Sequence, residues 1–129
     1  MDTIGDFLTI IRNASAVGKE VCVASFSNIR ANLAAVLKKN GYICDYVVKE
    51  VRPGVKEIIV ALKYVGGVAV ITGISRCSRP GCRLYCAADA IPRVHNNLGV
   101  CILTTSKGIL SGKEALRAHV GGELLCKVW

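Results

Sequence analysis

Aromatic side chains are scarce in this chain of 129 residues, with two Phe, four Tyr and one Trp making 5% of it. An extended platform for stacking nucleobases needs more rings than that. Proline occurs three times and histidine twice. Acidic residues are few, nine against seventeen Lys and Arg. Long apolar runs are missing too: residues 58–74, the most apolar stretch, are interrupted by Lys63 and Gly66-Gly67. The pieces fall short of the roughly 20 residues a membrane-spanning helix requires. Met1-Asp2-Thr3 has neither the basic start nor the apolar core of a secretory signal, so a soluble cytoplasmic protein without a membrane is expected.

Enzyme signatures are absent as well. No Gly-x-Gly-x-x-Gly follows a strand, and Thr105-Ser106-Lys107-Gly108 has neither the glycine spacing nor the order of a phosphate-binding Walker loop. His95 and His119 have no carboxylate at motif spacing, and the carboxylates show no close pair that would divide acid and base work. The expectation is a protein that binds rather than catalyses, with no small-molecule substrate, no cofactor and no catalytic residue.

What the sequence has is apolar content, cysteine and positive charge. Apolar types make 52% of the residues and mean hydropathy is +0.44, which excludes a disordered tail and provides for a real core. The seven cysteines are odd in number and accompanied by no secretion signal, which argues against a disulfide framework. Cys22, Cys44, Cys101 and Cys126 sit among aliphatic residues and are expected to pack as small hydrophobes. Cys77, Cys82 and Cys86 could supply zinc thiolates, with His95 as a fourth ligand, but no C-x2-C knuckle occurs and no metal is expected. The formal charge of +8 is uneven, +3 over residues 1–64 and +5 over residues 65–129. Such an excess favours a polyanionic partner, because neutralising phosphates releases their condensed counterions.

The pattern along the chain predicts an α+β protein of two small lobes. In the first, residues 1–64, Thr3 caps a helix with Ile4, Phe7, Leu8 and Ile11 on one face and Arg12-Asn13 near its end. A short strand over residues 21–24 precedes a helix capped by Ser27, with Ile29, Leu33, Val36 and Leu37 inward and Asn40-Gly41 closing it. Strands over residues 42–51 and 55–64 complete an αβαββ order. The second lobe, residues 65–129, is strand-rich with one short helix. Its expected strands cover residues 68–74, 83–85, 100–103 and 123–129, with a helical turn over residues 89–94 and Gly121-Gly122 as the last turn. Residues 104–108 form a polar strand-to-helix loop, and Ser111 with Glu114 makes a capping box for a helix using Ala115, Leu116 and Ala118.

Two constellations carry binding chemistry. Thr104, Thr105 and Ser106 offer three consecutive hydroxyls for phosphate, 2′-hydroxyl or base edge, Lys107 adds charge, and Gly108 permits close approach. Arg76, Arg79 and Arg83 put three cations within eight residues, followed by Tyr85 as one stacking face.

Taken together, the residues resemble the bacterial small-subunit ribosomal protein eight family over essentially the whole chain. The resemblance rests on Asp2-x-Ile4-x-Asp6-x-Leu8-Thr9-x-Ile11-Arg12-Asn13-Ala14, Val36-Leu37-Lys38-x-x-Gly41-Tyr42-Ile43 and Ser78-Arg79-Pro80-Gly81-x-Arg83-x-Tyr85. Ile91-Pro92, Leu98-Gly99, Thr105-Ser106-Lys107-Gly108 and Gly121-Gly122-Glu123-x-Leu125-Cys126-x-Val128-Trp129 complete it. It implies a primary binder of the central domain of small-subunit ribosomal RNA that helps assemble the platform, beside ribosomal proteins five and twelve. The implied RNA surface is the C-terminal lobe, with Thr105, Ser106, Lys107, Tyr85, Gly122 and Glu123, and with Gly108, Arg79 and Arg83 added from the residues themselves. The N-terminal lobe would add backbone contacts, with Arg12 and Asn13 as candidates. The chain departs from the family at Ser25 and Ser27-Asn28, where a proline and a lysine are usual, at the neutral Cys86-Ala87-Ala88, and at Thr3. Competing readings are a stand-alone RNA regulator and a zinc or thiol-redox protein built on Cys77, Cys82 and Cys86.

Overall fold

The computed structural model describes residues 3–92 and 99–129. The chain runs α1 (Thr3–Ala16), β1 (Val21–Ser25), α2 (Asn28–Lys39), β2 (Ile43–Arg52), β3 (Val55–Leu62), β4 (Tyr64–Val65), β5 (Val68–Ala69), β6 (Ile74–Arg76), β7 (Tyr85–Cys86), β8 (Val100–Thr105), β9 (Gly108–Ser111), α3 (Gly112–Arg117) and β10 (Gly122–Val128). This is the expected α+β class, with the αβαββ order first and a strand-rich second half carrying one short helix.

In the first half the amphipathic signals act as written. Ile4, Phe7, Leu8, Ile11 and Ala14 of α1 are buried, and α2 buries Leu33, Ala34, Val36 and Leu37. Both helices cover one face of an antiparallel sheet ordered β1-β3-β2, against Cys22, Ala24, Ile58 and Val60. Ser27 caps α2, its hydroxyl accepting from the Arg30 N–H at 3.2 Å. Thr3 does not act as the expected cap; it lies within the first turn of α1. Arg30 is buried although charged, at 7% exposure. Its guanidinium donates to the Thr3 carbonyl (3.1 Å) and to the Ser25 carbonyl and hydroxyl (3.0 and 2.9 Å), over the Phe7 ring. It thereby ties the start of α1, the end of β1 and α2 together, with its Nε and Nη1 donors satisfied.

The helices α1, α2 and α3 stop the same way. The N–H groups of Lys19, Tyr42 and Val120 reach back to the carbonyls of Ala14, Leu37 and Ala115, the six-to-one bond of a Schellman ending. Gly18 (φ 77°) and Gly41 (φ 81°) hold the left-handed position in α1 and α2, but in α3 it falls to His119 (φ 55°). The turn into the last strand is thus made by His119-Val120 and not, as expected, by the glycine pair that follows.

The second sheet is ordered β6-β10-β8-β9, with β7 also on β10. β8 alternates regularly. Val100 and Ile102 join the large core with α1, α2 and the first sheet, while Cys101 and Leu103 join a smaller core under α3 with Ala115 and Leu124. β10 carries an irregularity between Leu124 and Cys126, and Leu124, Leu125 and Cys126 are all buried. Several strand expectations change. Residues 68–74 hold β5, a two-residue partner of β4 around Gly66-Gly67, and only the first residue of β6, because the segment between them leaves to meet Trp129. Gly73 lies flat against the Trp129 indole, where a Cβ would come within 2.5 Å of the ring. Residues 83–85 yield only the start of β7. Of the helical turn expected over residues 89–94, residues 89–92 are not helical, and a turn over residues 87–90 is closed by the Ala90 N–H on the Ala87 carbonyl; residues 93 and 94 lie outside the described residues. Leu116 of α3 faces out at 54% exposure, since a helix of six residues presents only Gly112 and Ala115 to its core.

Two substitutions test these assignments. Arg30→Met leaves the Thr3 and Ser25 acceptors unpaired and is expected to lower stability by about 1–3 kcal/mol in chemical denaturation. His119→Gly removes the left-handed penalty on a residue with a Cβ and is expected to raise the melting temperature, by about 1 kcal/mol of stabilisation at most.

Candidate nucleic-acid interface

The second sheet gathers most of the sequence-predicted residues at one end. Two register rows cross it there. Tyr85, Glu123, Thr104 and Ile109 stand side by side in β7, β10, β8 and β9, and Cys86, Gly122, Thr105 and Gly108 make the adjacent row. Residues 104–108 are therefore a strand-to-strand hairpin and not a strand-to-helix loop. Ser106-Lys107 forms its two-residue tip, closed by Gly108 at φ 105°. The Thr105 hydroxyl is spent on the turn: it accepts from the Lys107 N–H at 3.1 Å and donates to the Gly108 carbonyl at 2.9 Å. Ser106 and Lys107 are exposed and point the tip at solvent. The turn thus engages the Thr105 hydroxyl and presents Ser106 at its exposed tip, in the direction that Thr105 fixes.

The glycine pair before β10 is required by contact. A Cβ on Gly121 would lie 2.3 Å from the Cys86 carbonyl oxygen, and one on Gly122 would lie 2.1 Å from that of Thr104. Only glycine lets β7, β10 and β8 converge so closely.

Tyr85 is 72% exposed and offers a ring face beside this row. Glu123, next to it in register, is committed inward. Its carboxylate accepts from the buried Ser78 hydroxyl and from Arg83 Nη1 at 2.9 Å. Ser78 in turn accepts the Leu84 N–H at 3.1 Å, so one buried serine closes the loop that carries Arg79 and Arg83. Burial alone would raise the Glu123 carboxyl; the hydrogen bonds from Ser78 and Arg83 and the charges of Arg83 and Arg76 hold it below the ordinary glutamate value. The role of Ser78, which the sequence offered only within a matching run, was invisible there, because nothing local marks a serine that meets a glutamate 45 positions later. Glu114 is governed in the same way: burial pushes it up, while Lys39 and the Ser111 cap win and lower it. Ser111 accepts the Glu114 N–H at 3.3 Å, the expected capping box, and Lys39 bridges α2 to Glu114 at 2.9 Å.

Arg79 is exposed on a tight turn, its backbone bridged to Cys82. Arg12 and Asn13 stand apart from the hairpin rows, on α1, and Arg12 Nη2 donates to the Ile74 carbonyl at 2.6 Å.

The cysteines are free thiols. Cys22, Cys101 and Cys126 are buried as expected, but Cys44 is exposed, because it follows buried Ile43 in β2 and so falls on the face turned away from the core. Burial pushes up the thiols of Cys22, Cys77, Cys86 and Cys101, and that of Cys126 to about 12. Protonated thiols are poor nucleophiles and poor metal ligands. Among the described residues no group of three or more His, Cys, Asp or Glu is arranged to hold a metal ion; His95 lies outside them.

Compared with known proteins, the chain falls among the ribosomal proteins. Residues 2–129 match the family described as Ribosomal protein S8, and the chain belongs to that family. Among its relatives are proteins named small ribosomal subunit protein uS8. Those of Acidiphilium cryptum and Granulibacter bethesdensis are 49% and 48% identical over 128 residues, covering 99% of this chain and 98% and 97% of theirs. That of Nitratidesulfovibrio vulgaris is 49% identical over 129 residues.

Glu123→Gln tests the electrostatic assignment. A carboxyl lowered in the folded state adds stability above its unfolded value, near pH 4.3, and loses it as pH falls through the folded one. The variant is expected to be less stable than the parent by about 1–2 kcal/mol at pH 7. The gap should close as urea melts are repeated down to pH 3.

Proposed function

We propose that this chain is a structural constituent of the small ribosomal subunit that binds the central domain of small-subunit ribosomal RNA and helps assemble the platform. It works in the cytoplasm as part of the ribosome, beside ribosomal proteins five and twelve, and has no catalytic role. Residues 1–64 serve as an α/β lobe and residues 65–129 as the principal RNA-binding lobe. The observation that carries this reading is the hairpin end of the second sheet, where the Ser106-Lys107 tip stands beside exposed Tyr85 in a chain of formal charge +8. Family membership supports the same assignment.

The division of labour follows from reach. Double-stranded RNA hides its major groove, so a protein works on the shallow minor groove or on irregular, unstacked sites. Ser106, held by Thr105 and Gly108, is short enough for 2′-hydroxyls and base edges, while Lys107 seeks phosphate. Tyr85 stacks. Gly122 keeps the surface flat, and Glu123 orients Arg83 for the backbone. Arg79 and Arg83 add phosphate contacts, and Arg12 and Asn13 do so from the first lobe.

The test is a pair of titrations, with a central-domain ribosomal RNA fragment and with an unrelated hairpin. Ser106→Ala is expected to weaken the first by about 1–3 kcal/mol and to spare the second. Lys107→Ala should weaken both. Equal losses on the two RNAs for Ser106→Ala, or none on either, would remove the hairpin from the recognition site.

A further inference from the structure

We infer that Asn40-Gly41 is a deamidation site held shut by the folded end of α2, so that modification marks chains in which that end has opened and then prevents it from re-forming. Asn40-Gly41 is the one Asn-Gly pair in the sequence. In such a pair the glycine nitrogen can attack the side-chain carbonyl before it, since glycine has no side chain to crowd the approach. With its proton taken by hydroxide, the Gly41 nitrogen bonds to Asn40 Cγ, the bond from Cγ to Nδ2 breaks, and ammonia leaves. Water then opens the cyclic imide at either carbonyl. The product is aspartate, or an isoaspartyl linkage in which the main chain runs through the former side-chain carbon. The net change is water for ammonia, with no electrons transferred.

The helix end blocks each part of this step. Asn40 has ψ 4°, so the Gly41 nitrogen nearly eclipses the Asn40 nitrogen and is turned away from Cβ and Cγ. The Gly41 N–H donates to the Lys38 carbonyl at 3.1 Å, and the Tyr42 N–H to the Leu37 carbonyl at 2.9 Å. A proton held on a carbonyl is not released to solvent base. The electrophile is tied as well: Asn40 Nδ2 donates to the Val36 carbonyl at 2.8 Å, as the Asn40 N–H does at 3.1 Å. Asn40 is exposed, so water and hydroxide reach it, and the missing element is backbone rotation. That rotation breaks the bonds of Gly41 and Tyr42 together, a local opening of the last turn.

The weakness comes from what the turn demands. A Schellman ending needs a left-handed residue, and Gly41 supplies it at φ 81°. The same glycine removes the steric guard on Asn40. In α1 and α3 the residues before the left-handed position are Val17 and Ala118, which carry no amide to cyclise. Lys38 and Lys39 precede the pair, and their charges favour the anionic nitrogen once the turn is open. After reaction the ending cannot re-form. A carboxylate at residue 40 has nothing to donate to the Val36 carbonyl, and it adds negative charge at the negative end of the helix dipole. An isoaspartyl linkage also puts an extra carbon in the main chain, which throws the Gly41 and Tyr42 N–H groups off their acceptors. Lys39, immediately before the pair, bridges to Glu114 at 2.9 Å, so the damage reaches α3.

The experiment incubates the full chain in mildly alkaline buffer, folded and in denaturing urea, and follows the peptide spanning residues 40–41 by mass spectrometry. Asn40 is expected to deamidate at least about tenfold more slowly in the folded chain. The slowing should match the hydrogen-exchange protection of the Gly41 and Tyr42 amides, because both reactions wait for one opening. Asn40→Gln, whose longer side chain closes a ring far less readily, should suppress the product. The modified chain, separated by its added charge, should melt a few degrees below the parent. Equal rates in the two states, or no product at Asn40 in urea, would overturn the proposal. A slowing far from the amide protection would overturn the part given to the end of α2. An unchanged melting temperature would show that the ending re-forms, and would overturn the claim that modification prevents it.

Discussion

One extra residue in β10 sets the terms for the second half of the molecule. A strand that alternated strictly would send Leu124 and Cys126 to the same side. Their partners in β8, Leu103 and Ile102, lie on opposite sides, so β10 must gain a residue between them. Leu124 then closes the small core under α3, while Leu125 and Cys126 fill the large core shared with α1 and α2. The hydrophobic driving force on both faces is thereby satisfied by a single strand. Everything at the hairpin end follows from this placement, because β10 also positions Glu123 against Ser78 and Gly122 against the Thr104 carbonyl.

The fold was legible in the sequence where patterns are local. The helical periodicity of Ile4, Phe7, Leu8 and Ile11, the Ser27 and Ser111 caps and the Asn40-Gly41 stop each depend on neighbours within five residues, and each is in place. What was hidden depends on distant partners. Arg30 reads as a surface cation in a helix until Thr3, Phe7 and Ser25 surround it. The segment 68–74 reads as one strand because its side chains are aliphatic, yet it is broken where Thr72 and Gly73 bond to the Trp129 main chain. The hairpin at Ser106-Lys107 was missed for a chemical reason: its left-handed residue comes after the tip, at Gly108, so neither Asn-Gly nor Asp-Gly announces the turn. The candidate site residues were mostly named from sequence, but their division into those that contact and those that hold was not. Thr105 and Glu123 proved to be occupied within the molecule, and Ser106 and Tyr85 to be presented.

The cysteines illustrate how composition can mislead about chemistry. Seven thiols invite a redox or metal reading, yet five of them are raised by the burial that recruits them. A group packed for its volume is thereby kept in its least reactive form. Cys101 shows the packing role most clearly: its sulfur sits where a Cβ on Gly112 would come within 2.5 Å, so the first residue of α3 has to be glycine. The thiol is a spacer between β8 and the short helix.

The central position of β10 has a consequence for synthesis. The first sheet has all three of its strands by Leu62, so it can close while the rest of the chain is still being made. The second cannot. β6, β7 and β8 are each hydrogen-bonded to a strand that leaves the ribosome after them, and until it arrives their backbone donors and acceptors stand open along exposed edges. The half of the molecule that carries the hairpin tip therefore matures last, in one step, when residues 122–128 slide between strands already waiting for them.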